Sequence, residues 1–514
     1  MRSSSAEAPC RPQSGPWILA AAILGSSMAF IDSTVVNVAL PALQTTFHAS
    51  VVDVQWVVES YGLFLGALIL AGGSAGDLFG RRRIFVVGVA IFAIASAACG
   101  VAQSIQQLTY ARAVQGVGAA LLTPGSLAII SASFPGQERG RAIGTWSGFT
   151  AITTALGPVL GGWLIEHTSW RWIFFINLPL AFAVIVISLG HVPESRGPAA
   201  RRLDLPGALL VTIGLGGLVY GLVESPRLGW ADVGVVASLL VGVIGLAAFP
   251  LVEAHARNPM VPLKLFKSRT FSGANLLTLF LYSALGIFFF LFPMNLIQVQ
   301  HYSATAAGAA ALPLILLMFT LSRWSGGLVT RYGPRRPLII GPLIAAAGFA
   351  LFAVSASGGT YWTTFFPAFV VLGFGMAVSV APLTTTVMTA VDRDHSGVAS
   401  GINNAVARVA GLLAIAVFGI VMVNAFAARL DHRLALNNVP QNQRDEMRSD
   451  RTKLAAITLP GDLAPQVRQQ AKADVSEAFL FAFRVIAVCC AALTLASSVT
   501  AAAFLEGSRK PNSP

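Results

Sequence analysis

The chain has 514 residues, 55% of them hydrophobic and only 11% charged, against roughly 25% charged in soluble domains. That balance excludes a soluble globular protein. The formal charge of +12 is explained by where the basic residues fall between apolar runs, so no nucleic-acid partner is expected. Cys10 and Cys99 are isolated and Cys489–Cys490 are adjacent in an apolar run, so no disulfide or metal framework is expected. The seven histidines show no ligand spacing. There is no phosphate-binding Gly-Lys-Ser/Thr loop. These absences leave no enzyme chemistry, no cofactor and no ATP site to expect, and an ion gradient as the energy source.

Apolar runs near 20 residues recur along the chain, the length that crosses about 30 Å of hydrocarbon. Fourteen spans are predicted, at 17–40, 54–75, 84–102, 107–131, 142–165, 172–190, 205–223, 232–252, 271–294, 308–328, 338–356, 361–388, 398–424 and 476–505. The first is too long for a signal-peptide core and has no small-residue cleavage site behind it, so it reads as a retained span. With the first terminus inside, the inner segments carry 20 Lys/Arg, while the short outer loops carry only Arg171 and Arg227. Positive-inside bias then places both termini in the cytoplasm. The segment 425–475, with eight basic residues, is read as a partly helical extracytoplasmic loop; a thirteen-span chain is the alternative. The expected organisation is a cytoplasmic 1–16, a six-helix bundle over 17–190, two inserted helices over 205–252, a second bundle over 271–505, and a cytoplasmic 506–514.

Asp32 lies about eight residues, or roughly 12 Å, from the outer end of the first span, and Glu59 and Arg112 each about five residues, or roughly 8 Å, from theirs. Burial and a neighbouring arginine act on a carboxyl in opposite senses, so such a pair can be balanced to take up and release a proton. A static ion pair is the other reading, and Glu59 could instead face headgroups. GSAGDLFGRRR at 73–83 holds Gly73, Asp77, Gly80, Arg81, Arg82 and Arg83 at one membrane border. Asp77 there could accept from arginines or cap a helix across the contact between halves, a gating role. LTYARAVQGVGAA at 108–120 sets Arg112, Gln115, Gly116 and Gly118 in an apolar helix. GFTAITTALGPVLGG at 148–162 carries Gly148, Gly157, Pro158, Gly161 and Gly162. Small residues four apart (Gly144/Gly148, Gly157/Gly161) let a second helix approach closely.

An internal repeat follows. VQGVGAA at 114–120 returns as VLGFGMA at 371–377, which sets Gly116 and Gly118 on Gly373 and Gly375; RAIG at 141–144 returns as VASG at 398–401. Duplicated halves with a site between them are a recurring transporter plan. In the second half, Phe280, 288–290 and Phe292 read first as lipid-facing surface, with a drug pocket as the alternative. Arg323 and Arg484 lie near span ends and can snorkel. Asn403, Asn404 and Arg408, near mid-membrane, are possible cavity residues.

These motifs together resemble the major facilitator superfamily, in its fourteen-span drug:proton antiporter branch. Residues 73–83 are similar to that family's loop motif after helix 2, and Arg112, Gln115, Gly116 and Gly118 to its helix 4 motif. Gly157, Pro158, Gly161 and Gly162 look like its helix 5 antiporter signature. IDSTVVNVALP at 31–41 is similar to its helix 1 signature, and WRWIFFINLP at 170–179 and NNAVAR at 403–408 also fit. Thr330, where the second-half loop motif would hold an aspartate, and the charged Glu59 depart from the pattern. The resemblance implies an all-α polytopic fold of two six-helix halves plus two extra helices, and export of amphipathic small molecules against protons across the cytoplasmic membrane. A facilitator for one defined metabolite, or a non-transporting membrane sensor, is the rival reading.

Overall fold

Hydrocarbon offers the backbone no hydrogen-bond partner, so a spanning segment must satisfy its own N–H and C=O groups, and each long apolar run here does so as a helix. The computed structural model describes residues 14–197, 203–256, 259–354, 359–392, 396–437, 439–460 and 465–506. Residues 1–13 and 507–514 of the expected termini, Cys10 included, lie outside that range. Among the described residues, fourteen helices are long and apolar enough to cross a membrane: α1 (Gly15–Phe47), α2 (Val51–Phe79), α3 (Arg81–Val101), α4 (Ile105–Ser133), α5 (Glu138–His167), α6 (Trp172–His191), α7 (Leu205–Leu228), α8 (Val233–His255), α9 (Arg269–Val299), α10 (Ala304–Gly326), α11 (Arg335–Val354), α12 (Phe366–Thr389), α13 (Ser396–Leu436) and α14 (Pro465–Phe504). No strand occurs among the described residues.

Local chemistry starts these helices where the sequence turns polar. Ser50 and Asp53 form a reciprocal capping box at α2, and Ser104, Asp204, Asp232, Ser268 and Ser303 each accept from a backbone N–H three residues on. Such caps satisfy N–H groups that the first helical turn leaves free. The last turn of α9 widens into a π-helix over Asn295–Val299.

The repeat in sequence is a repeat in packing. In the first half α4 packs on α2 and α3, α1 on α5 and α6, and α3 on α6; in the second, α12 packs on α10 and α11, α9 on α13 and α14, and α11 on α14. The matched glycines sit at matched contacts. A Cβ on Gly116 would lie 2.6 Å from the Tyr61 carbonyl of α2, and one on Gly118 2.6 Å from the Phe92 nitrogen of α3. Their counterparts do the same, Gly373 against Leu314 of α10 and Gly375 against Ala345 of α11. The halves meet through α5 with α10 and α2 with α13. The inserted pair α7–α8 packs on α2 and α13, with Trp56 donating to Glu224 at 2.8 Å.

The 425–475 segment is more helical than a loop joining spans. α13 runs on to Leu436 and α14 already starts at Pro465. The extensions are clamped side by side by Arg429–Glu477 at 2.6 Å, Arg433–Asp474 at 3.3 Å and Asn437–Asp474 at 2.6 Å. Short helical segments at Gln441–Ser449 and Arg451–Ala456 complete the cap. Its Arg451 donates to the Pro226 carbonyl in the last turn of α7 at 3.4 Å.

Candidate functional site

Asp32 and Arg112 meet. The Arg112 Nη1 donates to Asp32 Oδ2 at 2.5 Å and to Gln115 Oε1 at 2.6 Å, while its Nε donates to the Val57 carbonyl of α2 at 3.1 Å. Gln115, one turn along α4, donates to Asp32 Oδ1 at 2.8 Å and to Ser96 Oγ at 2.7 Å. Asn177 of α6 donates to Ser96 at 3.0 Å and reaches Asp32 Oδ1 at 3.4 Å. The guanidinium carbon lies 4.2 Å from the Tyr61 ring centroid, a cation–π contact. Asp32 is 0% and Arg112 1% exposed. The network is closed to solvent, and five helices converge on it.

A cavity of about 1380 Å³ lies between the halves, walled by α1, α5, α9, α10 and α12. Thr34, Asn37 and Val38 line it from α1, Tyr282, Phe289 and Phe292 from α9, and Met376 and Val380 from α12. Its mouth is at the end that bears the basic loops, where Arg141 of α5 and Arg323 of α10 line it. The other end is shut. Gln298 donates to Gln44 at 2.8 Å, and the backbone and hydroxyl of Thr305 donate to Glu166 at 3.2 and 2.6 Å. A Cβ on Gly162 would strike the Ala304 carbonyl, and one on Gly308 the Pro158 carbonyl. Gly157 and Gly161 press on α1, against Thr34 and Val35.

A sequence profile of the Major Facilitator Superfamily matches residues 22–415. The chain is a major facilitator. Among curated relatives it is 36% identical over 423 residues to the multidrug resistance protein Stp of Mycobacterium tuberculosis, covering 80% of this chain and 76% of that one. It is 34% identical over 456 residues to the tetracenomycin C resistance and export protein of Streptomyces glaucescens, covering 87% and 84%. In fold it is similar to a bacterial homologue of the human lysosomal transporter Spinster, solved inward-facing and unoccupied, with a TM-score of 0.66 at 18% identity, covering 96% of this chain and 99% of that one.

The facilitator's other sequence-flagged residues separate into those the structure gathers and those it does not. Asp77 accepts from Arg81 at 2.8 Å, the first of its two expected partners, and its carbonyl accepts from Gly197 at 3.0 Å; no bond from Asp77 to the second half occurs among the described residues. Glu194, which no sequence motif flagged, accepts from the backbone N–H of Arg82 at 3.0 Å and Arg83 at 3.3 Å, capping α3. Gly80, at φ 117°, leaves room for that carboxylate. Gly73 rests on Pro124.

Five expectations need correction. Gly144 and Gly148 have nothing within 4 Å of a Cβ, because the inner half of α5 borders the open cavity. Glu59 faces neither headgroups nor the Asp32 pair. It is 1% exposed with no hydrogen-bond partner for either carboxylate oxygen among the described residues. It shares a helical face with Gln55, Gly62 and Gly66, which meet α13 at Ile415, Leu412 and Arg408. Phe288, Phe290 and Phe292 are buried, and Phe288 stacks among Phe292, Phe349, Phe352, Phe369 and Phe483 in the second-half core; Phe289 and Phe292 also reach the cavity, so the lipid-facing reading fails. Asn403, Asn404 and Arg408 do not line the cavity. Asn403 donates to Asn275 and Thr278 of α9, Asn404 to its own helix, and Arg408 sits over the Phe30 ring at 5.8 Å. Arg323, expected only to snorkel, stands at the cavity mouth.

Proposed function

We propose that this facilitator exports amphipathic small molecules across the cytoplasmic membrane in exchange for protons, with both termini in the cytoplasm and the observed cavity open to that side. One observation carries the reading: the buried Asp32–Arg112 pair and the cavity share α1. Asp32 turns into the first-half network, Thr34 and Asn37 face the cavity, and Ile31 and Val35 rest on the α5 glycines. A change on one face of α1 is therefore a change on the other two.

The chemistry follows from the bond set. Removing one partner of a buried pair costs on the order of 3–5 kcal/mol, so protonating Asp32 takes away the bond that fixes α1 to α4. Arg112 keeps Gln115, the Val57 carbonyl and the Tyr61 ring, and stays charged. In this reading, the closed pair with the cavity open inward corresponds to the substrate-accepting half of the cycle. Entry of a proton from the outside, with the cavity turned outward, releases α1, and the halves rock back. A cavity larger than the roughly 300–1,000 Å³ of ordinary ligand sites, with mainly apolar walls, suits bulky amphipaths better than one small polar metabolite. The names borne by the relatives, multidrug resistance and tetracenomycin C export, support the same direction.

Proton flux into proteoliposomes tests it directly. Addition of a lipophilic substrate should drive proton movement in wild-type vesicles and none in Asp32→Asn vesicles. Equal flux in both would sink the assignment of Asp32, and no flux in either would sink antiport.

A further inference from the structure

Among the described residues, the charged side chains that line the cavity are of one sign. Arg141 and Arg323 are exposed at its mouth, and neither forms an ion pair among the described residues. No carboxylate lines it: Asp32 is turned into the first-half network, and Glu59 is buried against α13. A cleft with low-dielectric walls and charge of one sign concentrates the opposite charge.

We propose that the transported molecules are amphipathic anions: an aromatic or polycyclic body on the apolar wall near Phe289 and Met318, with a carboxylate, sulfonate or ionised phenol toward Arg141 and Arg323. The cavity discriminates against lipophilic cations, which would meet two unpaired guanidinium groups and no acid. Two arginines at one end of the cavity also orient the guest, because its charged end stays at the mouth while its body goes in. This rests on the reading of the cavity as the transport site.

Tetraphenylborate and tetraphenylphosphonium test it, being nearly identical in shape and opposite in charge. Equilibrium binding to the purified full-length protein in one detergent compares wild type with Arg141→Gln/Arg323→Gln, so that partition into the micelle cancels between proteins. The borate should bind at least tenfold more weakly to the double variant, while the phosphonium binds as well or better. The Arg141→Lys/Arg323→Lys protein should keep the wild-type borate affinity within a few-fold. If the glutamine double variant does not fold, the two single variants each show part of the loss. A borate affinity unchanged by these substitutions, or a phosphonium affinity that falls with it, overturns the proposal. Proton-driven movement of the two probes in inverted vesicles separates this from the exporter reading. Charge-selective binding without transport refutes export and leaves the selectivity standing. Transport of both probes without discrimination refutes the selectivity alone.

Discussion

Asp32 accepts from three donors, Arg112, Gln115 and Asn177, and an amide in its place keeps the size and one acceptor oxygen but cannot titrate. Asp32→Asn is therefore expected to fold and insert at wild-type levels, to lose accumulation against a gradient, and to flatten the pH dependence of efflux. Substrate extrusion with an unchanged pH profile would show that another group carries the proton. At the partner, Arg112→Ala should be worse than Arg112→Lys. The alanine strands a buried carboxylate, at about 3–5 kcal/mol. The lysine keeps a charge but loses the fork that reaches Asp32, Gln115 and the Val57 carbonyl together. Thermal unfolding of the purified proteins and a transport assay should rank the two in the same order; identical behaviour would remove Arg112 from the coupling.

How much of this was legible in the sequence differs residue by residue. Two charges in apolar runs announce themselves, because hydrocarbon makes an unpaired charge costly, and Asp32 and Arg112 did. Ser96 and Asn177 carry no such signal. A single small polar residue is unremarkable in a membrane helix, and their convergence depends on how α3 and α6 are rotated. Glu194 was hidden in a loop, where acidic residues are commonplace. The phenylalanines failed for a different reason: lipid and protein core are equally apolar, so hydropathy does not tell which one a side chain faces.

At the scale of the helix, α5 carries glycines of two kinds that read alike in sequence. Gly157 and Gly161 are pressed against α1 and Gly162 against the Ala304 carbonyl, while Gly144 and Gly148 border open space. Overpacking a tight contact costs about 1–3 kcal/mol, and about 1.4 kcal/mol is already a tenfold shift in a two-state balance. Gly157→Leu and Gly161→Leu should therefore insert and fold but export poorly, with the closed outer end loosened and the cavity more accessible from outside. Gly148→Leu should leave that outer end sealed, since the added side chain lies in the cavity. Cysteine accessibility at Thr34, read from each side of the membrane, distinguishes these cases. Equal accessibility in all three variants would mean that the α1–α5 contact does not set the balance.

For the whole molecule, the topology makes a demand on the cap between α13 and α14. Single cysteines at the exposed Asn442 and Asp445, in a protein lacking Cys10, Cys99, Cys489 and Cys490, should react with an impermeant thiol reagent on intact cells. Reaction only after lysis would invert the orientation proposed here. A pair of cysteines at Gln44 and Gln298, whose side chains bond at 2.8 Å across the halves, should hold the outer end shut and stop export when joined by a short bifunctional thiol cross-linker with a reducible linkage, with recovery on reduction.

The length of α13 has a mechanical side. At 41 residues the helix is roughly 60 Å long, about twice the hydrocarbon it crosses. It touches α2 at the seam between halves, and its far end is bolted to α14 by Arg429–Glu477. A stiff rod pivoting near its middle magnifies what happens at the pivot: a tilt of about 10° swings an end about 30 Å away by about 5 Å. On the proposed orientation, the cap at Gln441–Ser449 is thus a pointer outside the cell that moves with the seam inside the membrane. A fluorophore or spin label there would report which way the cavity faces without entering it, and a binder that immobilised the pointer would stall the pump from outside.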